Sequence, residues 1–213
     1  MLSKSSLKTA WQTRCADAEP AADTILRGAA AHSVRGIKGR ALDAAVAIVK
    51  ESGIKGLSLR GLADRANFGV ASLYHYFSNK EELLLCLAVN GFARLRDAIL
   101  EAHDTIDLPN PISRSATAYF DFVANNCELF ALMYDVPRMQ AYPELRAAEH
   151  EAFLAFEEAV VADSRLPSQK VASTMWALYR GVAAIASAQP NRRLSPAQYE
   201  AIWGGAAYLL VRS

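Results

Sequence analysis

Residues 66–83 read ANFGVASLYHYFSNKEEL, a short run crowded with hydrogen-bond donors: Ser72, Tyr74, His75 and Lys80, with Tyr76 and Phe77 among them. A hydroxyl, a phenol, an imidazole and an ammonium this close together suit an anionic or base-lined surface. Tyr74 and His75 can donate to phosphate oxygens, and Ser72 to a phosphate or a base edge. Val70 and Ala71 can touch thymine methyls. The same types do not assemble an enzyme centre. The chain has no G-x-S-x-G, no H-E-x-x-H and no phosphate-binding glycine loop. His32, His75, His103 and His150 are scattered, and His150-Glu151 has no second ligand at metal-binding spacing. Catalytic, metal and cofactor roles are therefore not expected.

The elements that must hold these donors are helices. No proline occurs between Pro20 and Pro109, and the stretch is rich in Ala, Leu, Arg, Lys and Glu. Leu42, Ala45, Val46 and Val49 repeat at helical spacing and predict a helix over about 37–51, with Gly53 just past its end where a left-handed cap suits glycine. Ser58 is a candidate N-cap for a short helix, Leu59–Ala66. Asn67-Phe68-Gly69 reads as a turn, and Val70–Phe77 as a third short helix. Ser78-Asn79-Lys80-Glu81 fits the capping box S-x-x-E and opens a long fourth helix through about 102.

Two short helices across a three-residue turn make a helix-turn-helix over about 58–77. Ala63 supplies the small residue that steeply crossing helices need. Asn67 stands where positive φ is required, asparagine being the most tolerant residue after glycine. Leu62, Ala66, Phe68 and Leu73 form the inward set. Val70, Ala71, Ser72 and His75 remain outward on the third helix, with Tyr74 at its rim, and the start of such a helix is what reaches base edges. Arg60 can reach a guanine edge or a phosphate. Lys80, in the first turn of the fourth helix, reads as a phosphate clamp, because lysine is otherwise unfavourable near a positive helix end. Aromatics at helical spacing also serve as core, and Phe77 and Tyr76 read that way.

The 213 residues carry a net charge of only +1, with 52% hydrophobic residues. The charge is unevenly spread. Residues 1–89 hold twelve Lys/Arg against eight Asp/Glu, and the remainder holds eleven against fourteen. That is compatible with a nucleic-acid reader joined to a second body. Near-neutral charge argues against an architectural, sequence-nonspecific DNA binder. Cys15, Cys86 and Cys127 are far apart and odd in number, as expected of reduced thiols in the cytoplasm. Charges interrupt the N-terminus too early for a secretory signal, and no apolar run reaches membrane-spanning length, so a soluble protein with no membrane partner is expected.

Residues 40–84, RALDAAVAIVKESGIKGLSLRGLADRANFGVASLYHYFSNKEELL, resemble the DNA-binding domain of the TetR family of transcriptional regulators. The block G-x-x-x-L-S-x-R-x-L-A followed by S-L-Y-x-Y-F-x-N-K-E-x-L carries the resemblance. By that resemblance Ser58, Arg60, Ser72, Tyr74, His75 and Lys80 match positions that touch DNA. The chain departs from the family at Asn67-Phe68-Gly69, where Gly-Val-Ser/Thr is usual. The implied architecture is all-α. A variable N-terminal arm, 1–35, poorly ordered or partly helical, precedes a helix-turn-helix domain over 36–90. A long fourth helix joins it to a helical ligand-binding and dimerisation domain over 91–213. If helical, the arm can reach a minor groove through Arg27 and Arg35; otherwise it is a tether.

In the second body, helices are expected near 112–127, 128–135, 144–164, 168–188 and 196–211, with prolines between them or at their starts. Residues 119–135 and 175–185 resemble a subgroup with a Trp-x-x-x-His-Gly signature, where this chain has Arg180 in place of histidine. Phe120, Phe130, Met133, Tyr134, Phe153, Trp176, Tyr179 and Arg180 are the candidate lining of an apolar pocket, although each large side chain is also ordinary core material. Arg180 either pairs with Asp121 or Glu128 or meets an anionic ligand. Residues 168–212 are expected to form a four-helix interface with a second copy. Gly181, Ala184, Ala188, Gly204, Gly205 and Ala206 would allow close approach there, while Val182, Ile185, Ile202, Trp203, Leu209 and Leu210 add area. A two-fold dimer on a palindromic double-stranded operator, released by a small-molecule effector, is the expected function. The alternatives are a dimeric helical interaction protein and a nonspecific DNA binder with no ligand.

Overall fold

The computed structural model describes residues 36–103, 111–162 and 169–187, together with 197, 198 and 201. The expected arm over 1–35, with Arg27 and Arg35, lies outside the described residues. So do nearly all of the expected 196–211 helix and Ala188. Regular structure among the described residues is entirely helical. No described helix is long and apolar enough to cross a membrane, and no described group of three His, Cys, Asp or Glu can hold a metal. The chain divides into two compact units between Leu87 and Ala88.

In the first unit, α1 (Ile37–Gly56) buries Ala41, Leu42, Ala45, Val46, Ile48 and Val49, a stripe at three- and four-residue spacing. Gly53 interrupts it with φ 68° and ψ 176°, so the chain does turn at this glycine. The ψ is extended rather than that of a left-handed cap, and a further helical turn follows to Gly56. This corner delivers Leu57, fully buried, to the start of α2 (Leu59–Ala66). Helix α3 covers Val70–Tyr76, and α2 packs against both α1 and α3. Leu62, Ala63, Leu73 and Phe77 are fully buried, so the small Ala63 sits where closely crossing helices need it. Ala66 and Phe68 are only half-buried.

The long α4 (Lys80–His103) runs through the boundary between the units. Its N-terminus lies one residue beyond the expected capping box. Asn79 Oδ1 accepts the Glu82 N–H at 2.9 Å, making Asn79 the N-cap. The Glu82 carboxylate reaches back to the Ser78 N–H at 2.7 Å and to the Ser78 hydroxyl. The cap is therefore Asn79 on the Glu82 N–H, with the Glu82 carboxylate holding Ser78, rather than a box of Ser78 with Glu81.

The second unit holds the rest of α4, α5 (Pro111–Asn125), α6 (Cys127–Met133), α7 (Val136–Ala141), α8 (Pro143–Ala162) and α9 (Gln169–Ser187). Helices α5, α8 and α9 pack against one another. Gly91 of α4 allows α6 to come close, because a Cβ there would stand 2.7 Å from Met133 Sδ. The short α7 is absent from the sequence reading. Asp135 caps it by accepting the Arg138 N–H at 3.1 Å. Arg146 closes its other end by donating to the Met139 and Gln140 carbonyls.

Candidate nucleic-acid interface and aromatic core

The helix-turn-helix is fixed by local bonds. Ser58 Oγ accepts the Gly61 N–H at 3.0 Å and caps α2. A hydroxyl that accepts from the backbone still has its own proton to give, so capping and a phosphate contact are compatible at Ser58. Helix α2 ends at Asn67, whose φ of 54° and ψ of 48° are left-handed. The Phe68 N–H bonds the Ala63 carbonyl at 2.9 Å and the Asn67 N–H that of Asp64 at 3.4 Å, the paired closure usual at glycine-ended helices. The departure from the family pattern at 67–69 thus keeps a tight turn. It adds a side chain as well, because the Phe68 ring carries the Arg40 guanidinium 4.8 Å above its centroid.

The outward set is exposed as a group. Ser58, Arg60, Ala71, Ser72, His75 and Lys80 are exposed, as are Val70 at 37% and Tyr74 at 54%. A large apolar ring left half in water on a seven-residue helix has no packing role that would explain it. His75 sets its ring edge-on to Tyr76, with centroids 5.5 Å apart. Arg65 is not available to a ligand. Both prongs of its guanidinium bond Glu51 at 2.6 Å, tying α2 to α1. That hydrogen bond, helped by the arginine's charge, holds the Glu51 carboxyl below its ordinary range and raises Arg65. Lys80 is the first residue of α4, but Glu81 and Glu82 share its turn. Helix-end electrostatics alone therefore no longer demand an external anion at Lys80.

The second unit carries an aromatic cluster built from five helices, with Tyr119 of α5 at its hub. The Tyr119 centroid lies 5.4 Å from Phe120 and from Trp176, 5.6 Å from Tyr179 and 6.3 Å from Phe130. Tyr134 extends the cluster, 4.9 Å from Phe130 and 5.2 Å from Phe92. Phe156 packs against Trp176 and Tyr179, and Phe153 meets Trp176 edge-on at 5.9 Å. The candidates Phe120, Phe130, Tyr134, Phe153, Trp176 and Tyr179 are thus brought together. Met133, fully buried, fills the space beside Gly91. The sequence reading missed Tyr119 and Phe92 as parts of this cluster. Tyr119 had a signal, since it shares a helical face with the buried Phe122 and Val123 at i+3 and i+4.

Arg180 does not pair with Asp121 or Glu128. Its guanidinium lies 4.3 Å above the Tyr134 ring, and Nη1 is 3.8 Å from a Glu149 oxygen. Helix α9 packs against α8 as well as α5, and it is α8 that presents the carboxylate. The pair leaves the aromatic cluster without net charge. Within the cluster two polar atoms are unsatisfied, for neither the Tyr119 hydroxyl nor the Tyr134 hydroxyl has a hydrogen-bond partner. Burial, foremost, pushes both phenols far above their ordinary pKa, and Glu149 adds to the rise. Each phenol also acts on the other's ionisation. A buried hydroxyl left unmatched costs about 1–3 kcal/mol.

On α9, Gly181, Ala184 and Ile185 face solvent, Ile185 being 48% exposed. Val182, expected at the dimer interface, is instead core at 3%.

The profile of bacterial regulatory proteins, tetR family, matches residues 41–87. Over 56 residues the chain is 39% identical to the HTH-type transcriptional repressor KstR of Mycobacterium tuberculosis (strain ATCC 25618 / H37Rv). That match covers 26% of each protein, so the chain spans about a quarter of that relative's length. A solved protein of unknown function from Rhodococcus sp. RHA1 superposes with a TM-score of 0.61 at 24% identity, over 84% of this chain and 98% of that one. A putative TetR-family transcriptional regulator from Rhodococcus sp. gives 0.58 at 19%, over 81% and 97%. These likenesses carry the all-α fold through both units, and the profile match falls on the helix-turn-helix whose geometry is given above. Residues 41–87 are thus similar to the DNA-binding segment of the tetR family of bacterial regulatory proteins.

Proposed function

We propose that this protein is a transcriptional regulator that reads double-stranded DNA through α2, α3 and the start of α4. The observation that carries the reading is the exposed set Arg60, Val70, Ala71, Ser72, Tyr74, His75 and Lys80, held on a helix-turn-helix whose turn and caps are closed internally. In this account Val70, Ala71 and Ser72 meet base edges, and Tyr74, His75, Lys80 and Ser58 position the backbone. Arg60 reaches a guanine or a phosphate. Residues 36–90 serve as the DNA-binding domain and 91–213 as the effector and dimer domain.

A single helix-turn-helix makes too few contacts for specific affinity, so the protein acts as a two-fold dimer on a palindromic operator. Exposed Gly181, Ala184 and Ile185 on α9 support a partner face there. A small molecule held in the aromatic cluster releases the operator. DNA and effector then weaken each other's binding by the same factor. Repression is the expected mode, supported by the repressor named among its relatives.

The test is selection of the full chain against a random duplex pool, followed by sequencing. Enriched inverted repeats, with half-sites about one helical turn or a multiple apart, support the reading. Enrichment without symmetry removes the dimer. No enrichment at all removes the regulator.

A further inference from the structure

Two cations of the first unit are closed to a ligand. Arg65 is held by Glu51, and the Lys38 Nζ is buried. Arg40 differs from both. It is exposed near the start of α1, and among the described residues its guanidinium meets a ring rather than a carboxylate. The guanidinium carbon lies 4.8 Å from the centroid of Phe68. Phe68 is only half-buried, in the turn two residues before Val70. A cation over a ring face is attracted by the ring's quadrupole, and the ring takes no ordinary hydrogen bond from it. Arg40 therefore keeps its planar fork of five N–H donors for a second partner. The ring also restricts where the long side chain points, so less rotamer freedom is lost when that partner arrives.

The partner follows from position. Val70 opens the helix that enters the major groove, a channel about 12 Å wide bounded by two phosphate backbones. A cation carried on a different helix, beside the turn that precedes Val70, stands at the wall of that groove rather than over its floor. The acceptor there is a phosphate, whose paired oxygens match the guanidinium fork. We infer that Arg40 is a further DNA-binding residue, a phosphate contact made from α1, and that Phe68 is the positioning residue that aims it. The inference rests on the DNA-reading account above and deepens it. It gives the side chain at 68 a task that an aliphatic residue cannot perform, since valine or leucine fills the turn but offers no ring face. A phosphate contact carries no sequence information, so Arg40 adds affinity for any duplex alike.

Fluorescence anisotropy of the full chain on the enriched duplex and on a scrambled one, over a series of salt concentrations, tests this. The variants are Arg40→Ala, Phe68→Leu and the two together, each checked for helicity by far-UV circular dichroism. Arg40→Ala should weaken both duplexes by about tenfold for each bound subunit, the scale of one charge-assisted contact. It should also lower the slope of log affinity against log salt by about one for each bound subunit. Phe68→Leu should weaken binding by about two- to fivefold, the scale of an exposed cation–ring contact. In the Arg40→Ala background the same change should have no further effect, because there is no longer a guanidinium to aim. A ring that served only the packing of the turn would weaken binding equally in both backgrounds, and that result overturns the positioning role. Unchanged affinity and salt slope in Arg40→Ala overturn the contact. Loss confined to the enriched duplex with the slope intact makes Arg40 a base reader and overturns the phosphate assignment. In each of these cases wild-type binding stands, and the DNA-reading account with it. A wild-type chain that binds neither duplex removes both.

Discussion

Removing the Tyr119 hydroxyl should stabilise the protein. The residue is fully buried, and its oxygen has no hydrogen-bond partner. Tyr119→Phe keeps every ring contact of the hub and deletes only the unmatched polar atom. Relief of that desolvation is worth about 1–3 kcal/mol. The void left behind is smaller than a methyl group and returns less than about 1 kcal/mol of it. The net gain is then about 0.5–2 kcal/mol. In a chain of this size each kcal/mol raises Tm by about 2–4 °C. Urea unfolding followed by tryptophan fluorescence and far-UV circular dichroism reads the change directly. The midpoint should rise with the slope unchanged. The opposite sign refutes the reasoning. If Tyr119 and Tyr134 in fact shared a good hydrogen bond, the substitution would strand Tyr134 and lower the midpoint. The cycle with Tyr134→Phe separates the cases, since a real bond appears as a coupling of about 0.5 kcal/mol or more.

Three further outcomes follow from local geometry. Gly53→Ala puts a Cβ on a backbone with φ 68° and ψ 176°, a region open to glycine alone, and should cost about 1–3 kcal/mol in the same urea assay. Asn79→Ala removes the acceptor that caps α4 through the Glu82 N–H and should cost about 1 kcal/mol; no change would place the cap elsewhere. Glu51 has a lowered carboxyl pKa because Arg65 bonds it. Its folded value is below its unfolded one, so its stabilisation is present above the ordinary carboxylate range and is lost as the pH falls through it. Glu51→Gln should therefore be slightly less stable than wild type at neutral pH, should match it in strong acid, and should lose its deficit in high salt. A gap that persists at low pH would contradict the assignment.

What could be read from the chain alone was what local chemistry decides. Ser58 as a cap, Asn67 at positive φ and the buried Leu62, Ala63, Leu73 and Phe77 each follow from requirements within a few residues. The α4 cap was misplaced by one because Ser78 and Asn79 are both cap formers and Glu81 and Glu82 both acids. Two registers of the same box fit, and only the backbone chooses. Helix α7 hid behind Pro137, which reads as a break although it stands in the first turn, where proline is tolerated. Pairings across helices were not legible. Arg180 had several acids within reach of imagination, and the one it faces sits on α8, far away in sequence. Tyr119 and Phe120 are neighbours of similar size, so which of them is the hub depends on the phase of α5 against its partners. Composition does not record that phase.

The central claim is that α2 and α3 read DNA sequence. Fluorescence anisotropy of the full chain on a duplex enriched by the selection, against a scrambled duplex and at two salt concentrations, tests it most directly. The account predicts a strong preference for the enriched duplex that survives the higher salt. Tyr74→Ala should reduce affinity for it without unfolding the chain, since the ring is exposed. Lys80→Ala should weaken both duplexes alike and flatten the salt dependence by about one phosphate contact for each bound subunit. Equal, steeply salt-dependent binding of both duplexes, unaffected by Tyr74→Ala, would contradict it.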